Sequence, residues 1–139
     1  MSTPYLILLL LGLFGVGETT YLLYCRTGRQ PAACPIGDRA HCRAVLESKY
    51  NSAFFGIHND LLGVVFHTCI VAAAGYALVT GSLPTQAFLG LRLAIGGSAA
   101  FSVYLVYVQS QVLKQWCFWC VLSALTTWTM AVVVFGFLN

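Results

Sequence analysis

Four stretches of this chain are apolar for about 20 residues each, the length that an α-helix needs to cross the hydrocarbon of a bilayer. They run from about Pro4 to Tyr24, Asp60 to Thr80, Gln86 to Val108 and Trp116 to Leu138. Lipid offers no hydrogen-bond partner to a backbone amide or carbonyl, so we expect helices and not strands. The prediction is an all-α fold, in which a single domain over residues 1–139 forms an integral membrane four-helix bundle with both termini on one side.

The composition argues against a soluble fold. Hydrophobic residues make up 59% of the chain and charged residues 8%, whereas soluble domains carry about 25% charged residues. The net charge of +3 lies mostly in one loop and is too small for a nucleic-acid binder. No basic segment precedes the first apolar stretch, so we expect a retained helix there and not a cleaved signal peptide.

Two further patterns concern how the helices connect and pack. The second and third helices are separated only by the turn residues 81–85, which predicts an antiparallel hairpin. The third helix carries the run Gly96–Ala100, whose small side chains would let a neighbouring backbone approach closely.

Residues 25–59 form the one long polar segment, between the first two helices. It holds five of the seven basic residues and three of the six cysteines. Loops of this length are uncommon in compact domains unless they serve a function or are disordered. Within it we expect a short amphipathic helix over Cys42–Tyr50 with Val45 and Leu46 inward, and a return to the membrane at Ala53–Ile57.

Two cysteine pairs carry the chemistry that this sequence suggests. Cys117 and Cys120 form a C-x-x-C at the start of the fourth helix, where positions three apart share a face and the helix dipole favours thiolate. Cys34 and Cys42 form a second pair in the loop. With four helices, the loop and the start of the fourth helix lie on the same side of the membrane. The two pairs are therefore predicted to act as a redox relay, while chance spacing or metal binding are the alternatives.

Aromatic residues surround the C-x-x-C motif. Trp116, Phe118 and Trp119 fit an interfacial aromatic belt and fit equally well a wall for a flat ring. The two interpretations are compatible, and position in the sequence does not separate them.

The order of these elements resembles the vitamin K epoxide reductase family over most of the chain. The resemblance rests on Cys34-x7-Cys42, Val45, Ser48-Lys49-Tyr50, Phe55-Gly56-Ile57-His58-Asn59, Gly63 and Cys117-x-x-Cys120. It implies a four-helix bundle around a membrane quinone and a loop pair that takes electrons from a thioredoxin-like protein. The implied activity is that of a quinone-linked thiol:disulfide oxidoreductase that supports protein disulfide formation.

The resemblance also implies a role for each cysteine of the relay. Cys120 would face the quinone and Cys117 would be its disulfide partner. Cys42 would be the inner loop cysteine that attacks the Cys117–Cys120 bridge, and Cys34 the outer one that meets the partner protein.

The same resemblance implies a quinone-binding set. Asn59 would donate a hydrogen bond to a quinone oxygen, and Ser48 and Phe55 would lie near it beside the aromatic residues of the C-x-x-C motif. Capping of the second helix is the alternative role for Asn59. Ala124 stands where vertebrate members carry a quinone-contacting tyrosine. We therefore expect a ring of the ubiquinone or menaquinone type, with vitamin K left open.

Four residues have roles that the sequence leaves open. Cys69 is expected to be inert packing in mid-membrane, and Cys25 a free interfacial thiol. Glu18 is an acid within a membrane helix, where it either reaches for interfacial water or is functional. His67 is expected to be a hydrogen-bonded interior histidine, with proton donation to quinone as the alternative.

The side of the membrane is a second open question. The resemblance implies a multi-pass protein of the cell membrane with an extracytoplasmic active site, where disulfides form. The basic residues of the loop and Lys114 would instead mark that side as cytosolic. Expected partners are a thioredoxin-like disulfide carrier and membrane lipid, with no nucleic acid. A soft-metal carrier and a structural membrane protein stabilised by a disulfide are the competing functions.

Overall fold

The four apolar stretches form four helices in the computed structural model, which describes residues 2–28, 44–45, 47, 49–51 and 56–138. Over these residues the long helices are α1 (Thr3–Thr27), α2 (Asn59–Thr80), α3 (Thr85–Tyr107) and α4 (Phe118–Phe137), and a short 3-10 helix covers Lys49–Asn51. Each is long and apolar enough to cross a membrane. The predicted all-α four-helix architecture is confirmed, with helix ends that differ from the sequence-based bounds by three residues or fewer.

Local signals set where the helices begin and end. Pro4 stands in the first turn of α1, where its missing N–H costs no hydrogen bond. At the end of α2, Gly81 adopts φ +91°, and its N–H donates to the Ala77 carbonyl at 2.8 Å. A residue with a Cβ would be strained in this left-handed conformation, and Pro84 then precedes α3. The result is the short turn between α2 and α3 that the sequence predicts.

Small residues bring α1 and α2 close together. A Cβ added to Gly63 of α2 would lie 2.5 Å from Cγ2 of Thr19, and one added to Gly12 of α1 would lie 2.9 Å from Cγ2 of Val71. Gly15 leaves room in the same way for the imidazole ring of His67. Van der Waals packing drives helix association in lipid, so these contacts make α1 and α2 a tightly packed pair.

A fork-shaped ion pair joins the end of α1 to the start of α2. Nε of Arg26 lies 2.6 Å from Oδ2 of Asp60, and Nη2 of Arg26 lies 3.1 Å from Oδ1. Asp60 is buried and Arg26 is about one-third exposed. Bidentate pairing of this kind fixes geometry as well as charge, so it holds together the end of α1 and the start of α2, the two points between which the long loop runs.

The second helix pair is α3 with α4. Nε1 of Trp128 donates to the Ala99 carbonyl at 3.2 Å, and a Cβ at Gly96 would lie 3.3 Å from the ring of Phe135. The predicted close approach of a backbone at Gly96–Ala100 is thus replaced by an aromatic side chain lying over Gly96. Gly97 has no heavy atom within 4 Å of a built Cβ.

The core and the outer surface divide as a membrane protein requires. The central cluster of buried side chains takes residues from all four helices, namely Leu8, Ile70, Ala74, Leu91, Ile95, Met130, Val133, Val134 and Leu138. Large apolar side chains also point outward, among them Val79, which is 87% exposed. Leaving such side chains in water would forgo about 1.5–3 kcal/mol each, whereas lipid solvates them.

Candidate redox site

Cys117 is placed by the start of α4. It occupies the position just before the first helical residue, with φ −107° and ψ 121°, and its carbonyl accepts the first helical hydrogen bond from the Val121 N–H at 3.1 Å. The side chain of Cys117 is fully buried. Cys120 follows three residues later and is partly exposed. The C-x-x-C therefore sits at the helix start, as the sequence predicts.

A buried glutamine holds the backbone of Cys117. Oε1 of Gln109 accepts the Cys117 N–H at 3.0 Å, and the Gln109 backbone carbonyl accepts the Gln115 N–H at 3.0 Å. Gln109 lies in a π-helical turn, Val108–Val112, that extends α3, and Lys114 then reverses the chain with φ +52°. Turns of the π type are frequent at functional sites. Sequence reasoning missed Gln109, whose only signal is an amide at the end of an apolar helix.

Hydrogen bonding tunes the reactivity of Cys117. The Cys120 thiol donates to the Cys117 sulfur and lowers the pKa of Cys117 below its usual range. Burial acts in the opposite direction, and the backbone amides of Cys120 and Trp119 add to the lowering of this pKa. Because the thiolate is the nucleophile in disulfide exchange, the lowered pKa makes Cys117 a more reactive thiol.

The long loop reaches this thiol pair at Val45. Val45 is buried and packs against Cys117 in a small apolar cluster that includes Leu113 and Phe118. This contact puts part of the loop at the start of α4, on the side that the helix order predicts, and confirms the inward orientation of Val45. The loop cysteines Cys34 and Cys42 lie outside the described residues.

Aromatic rings flank the pair. The ring of Trp119 lies 5.1 Å from that of Tyr21 on α1 and 5.3 Å from that of Phe118, measured between centroids. Trp116 lies two residues before the start of α4 and is 53% exposed, as expected for a residue of an interfacial aromatic belt. Tyr21 is a further site residue that sequence reasoning missed, because nothing in the motif points to α1.

Asn59 is the first residue of α2, and His58 occupies the capping position before it. Nδ2 of Asn59 donates to the Tyr50 carbonyl at 3.1 Å and so ties the loop to the helix start. Its buried Oδ1 has no hydrogen-bond partner among the described residues. An amide carries two N–H hydrogens, so one donor remains beyond the bond to Tyr50. Quinone contact by Asn59 stays a prediction, and two other expected quinone neighbours, Ser48 and Phe55, lie outside the described residues.

Two polar side chains are buried between the helices near the site. Nδ1 of His67 donates to the Gly63 carbonyl at 2.8 Å, which supports the expectation of a hydrogen-bonded interior histidine. Glu18 on α1 is 4% exposed, so it does not reach for interfacial water. Its carboxyl group interacts electrostatically with Cys117 and Cys120.

The two remaining cysteines differ from expectation. Cys69 is exposed on the outer surface of α2, so the prediction of interior packing is wrong. Its neighbour Ile70 takes the core position instead, because the helical repeat turns residue 69 outward. Cys25 is a free thiol near the end of α1, but it is buried and not at an open interface.

The fold and the site define a class: a four-helix membrane protein with a close thiol pair at the start of its last helix. The sequence model of the Vitamin K epoxide reductase family matches residues 6–135. The chain therefore belongs to the vitamin K epoxide reductase family, as its motifs predict.

A similar curated protein is the "Thiol-disulfide oxidoreductase LTO1" of Arabidopsis thaliana, which is 28% identical over 121 residues. The match covers 81% of this chain but only 31% of the Arabidopsis protein. The chain thus spans about a third of the length of this relative.

Proposed function

We propose that this protein is a quinone-linked thiol:disulfide oxidoreductase that oxidises a thioredoxin-like partner and thereby supports protein disulfide formation. The observation that carries the proposal is the Cys117–Cys120 pair, hydrogen-bonded to each other at the start of a membrane helix and in contact with the loop through Val45. The name of the Arabidopsis relative agrees with this chemistry.

The reaction has three exchanges that conserve electrons and protons. The partner dithiol reduces a Cys34–Cys42 disulfide and becomes a disulfide itself. Cys42 then attacks Cys117 of a Cys117–Cys120 disulfide, so that the loop bridge re-forms and the C-x-x-C becomes a dithiol. Finally the dithiol returns to a disulfide while a quinone takes up two electrons and two protons as a quinol.

The quinone is expected beside Cys120, within reach of the aromatic rings around the motif. Trp116, Phe118 and Trp119 offer flat apolar surface, and the second N–H of Asn59 is a donor for a ring oxygen. Ala124, where vertebrate members of the family carry a quinone-contacting tyrosine, is a buried small residue on α4. The proposal is therefore for reduction of a ubiquinone- or menaquinone-type ring and not for reduction of an epoxide.

The setting proposed for this reaction is the cell membrane, with lipid around the helices and the active site on the extracytoplasmic side. Disulfide formation belongs to oxidising compartments, which favours that side. The basic residues of the loop favour the cytosolic side instead. Labelling of single cysteines from each side of the membrane decides between the two orientations.

The test is quinone titration of the purified protein in detergent, with thiol oxidation followed in parallel. One quinol should form for each dithiol oxidised, and Cys117→Ala and Cys120→Ala should each abolish quinone reduction. Cys34→Ala and Cys42→Ala should spare reduction driven by a small dithiol but block reduction driven by a thioredoxin-like protein. The relay order is wrong if Cys34→Ala leaves partner-driven turnover unchanged, and the proposed function is wrong if wild-type protein reduces no quinone.

A further inference from the structure

Glu18 is a buried acid with no evident structural role. Neither of its carboxyl oxygens has a hydrogen-bond partner among the described residues, although the side chain is 4% exposed. Asp60, the other buried acid that the structure describes, shares a fork-shaped ion pair with Arg26. Burying a carboxyl group without a partner costs free energy, so its placement calls for a use outside folding.

Helix packing directs Glu18 toward the thiol pair. One turn further along α1, the ring of Tyr21 contacts that of Trp119 within the C-x-x-C. Glu18 therefore lies where α1 meets the first turn of α4, and its carboxyl interacts electrostatically with Cys117 and Cys120.

The other titratable groups near Glu18 come from α2, the helix packed closely against α1. His67 lies against Gly15, one turn before Glu18, and its Nδ1 is bonded to the Gly63 carbonyl. Asp60 is held by Arg26 at the end of the bundle. Nε2 of His67 is buried and has no hydrogen-bond partner among the described residues, so His67 is a second group able to exchange a proton with Glu18. The two thiols of α4 are the groups with which the Glu18 carboxyl interacts electrostatically.

We infer that Glu18 is the proton carrier of the thiol pair, taking a proton from the Cys117–Cys120 dithiol as it is oxidised and passing that proton to the reduced quinone. This inference rests on the proposed function. Oxidation of two thiols to one disulfide releases two electrons and two protons, and a quinone becomes a quinol by accepting the same number. Glu18 begins and ends the cycle in the same protonation state.

The chemistry requires a carrier at this place. Cys117 is fully buried, so bulk water does not reach its sulfur to remove the proton. Two negative charges that interact disfavour each other, so ionisation of a thiol of the pair favours the protonated form of the Glu18 carboxyl. When the Cys117–Cys120 dithiol is oxidised, a proton can therefore move from a thiol to the Glu18 carboxyl, and it can return when the disulfide is reduced.

The test is a single-turnover experiment on the full-length protein, reduced beforehand and mixed with a short-chain ubiquinone analogue across a range of pH. Glu18→Gln keeps the shape of the side chain but cannot carry a proton. It should slow quinol formation by about tenfold or more, since positioned acid–base groups typically contribute at least that much. It should also remove one titrating group from the pH profile, and Glu18→Asp should restore part of the rate.

Asp60→Asn is the matched control, because it also changes a buried acid of the bundle to its amide. This variant should lower thermal stability, owing to the loss of the ion pair with Arg26, while the rate for each folded molecule stays at the wild-type value. A merely structural Glu18 would behave like Asp60 and leave the pH profile unmoved.

Oxidation of the same proteins by diamide separates failure of this inference from failure of the proposed function. The four cysteines outside this pair are replaced by alanine for this measurement, so that diamide oxidises only the Cys117–Cys120 dithiol. Because no quinone is involved, Glu18→Gln should slow this reaction as well. If the variant slows diamide oxidation but wild-type protein reduces no quinone, the proposed function fails and the proton-accepting role stands. The role of Glu18 is overturned if Glu18→Gln matches wild type in rate and pH profile with diamide. If wild-type protein reduces quinone, the variant must match it in that reaction as well.

Discussion

Cys117 shows how few contacts define a reactive thiol. Because Cys117 precedes the first turn of α4, its sulfur lies near the backbone N–H groups of Trp119 and Cys120. The Cys120 thiol donates a further hydrogen bond to the same sulfur. Gln109 holds the backbone in place through the Cys117 N–H. The C-x-x-C spacing alone predicts the first two features, because positions three apart in a helix meet.

The role of the Cys120 thiol is open to a direct test by pH titration. In protein whose other four cysteines are replaced by alanine, Cys120→Ala should raise the pKa of Cys117, because the hydrogen bond that lowers it is lost. The thiolate absorbance of Cys117 should therefore develop at higher pH than in the parent protein. Cys120→Ser is the control, since its hydroxyl can still donate and should retain part of the lowering. An unchanged titration in Cys120→Ala would contradict the assignment.

At the scale of helices, glycine positions decide which pairs pack closely. The pair α1 and α2 approaches through Gly12, Gly15 and Gly63, which are spread along the sequence and form no compact motif. The conspicuous run Gly96–Ala100 instead receives the side chain of Phe135. Sequence reasoning could identify small residues but not the faces on which partner helices would lie.

The glycines of α2 offer a matched pair for measuring this packing. A Cβ at Gly63 would press on Thr19, whereas Gly75 on the same helix has no heavy atom within 4 Å of a built Cβ. Gly63→Ala should lower the free energy of unfolding by about 1–3 kcal/mol, the usual cost of overpacking. Gly75→Ala should leave it unchanged or raise it by up to about 1 kcal/mol, because alanine favours helix. Equilibrium unfolding in mixed detergent measures both, and equal effects would contradict the close α1–α2 contact.

At the scale of the molecule, the thiol pair and the residues that contact it lie at one end of the bundle. α1 ends there, α2 and α4 begin there, and Val45 of the loop packs on Cys117. The turn between α2 and α3 lies at the opposite end. Four crossings of a bilayer therefore place the thiol pair and this turn on different sides.

Accessibility labelling tests this topology and fixes its orientation. In protein without other cysteines, the exposed positions Lys114 and Ser82 are changed singly, as Lys114→Cys and Ser82→Cys, and Cys34 is retained alone in a third protein. A membrane-impermeant maleimide should label Lys114→Cys and Cys34 from one side and Ser82→Cys from the other. Labelling of Lys114→Cys and Ser82→Cys from the same side would rule out the four-span arrangement. The side on which Cys34 reacts decides between the two orientations.

The fold was more predictable than the site. Membrane spans follow from runs of apolar residues, so hydropathy alone located all four helices, and the C-x-x-C followed from local spacing. Contacts between distant segments do not follow from such patterns. The hydrogen bond from the Cys117 backbone to Gln109, the ring contact of Tyr21 with Trp119 and the electrostatic interaction of Glu18 with Cys117 all depend on how the helices rotate against one another. The outward turn of Cys69 was mispredicted for the same reason.

The outward position of Cys69 affects which thiols of this protein can take part in disulfide exchange. In a protein with the proposed function, spare thiols must be kept out of disulfide exchange, since any accessible sulfur is a potential wrong partner. Cys69 lies midway along a membrane-spanning helix and faces away from the bundle, so hydrocarbon surrounds it. Water-soluble dithiols and disulfides do not enter that layer. The bilayer therefore shields the Cys69 thiol and keeps it from exchanging with the two cysteine pairs of the proposed relay.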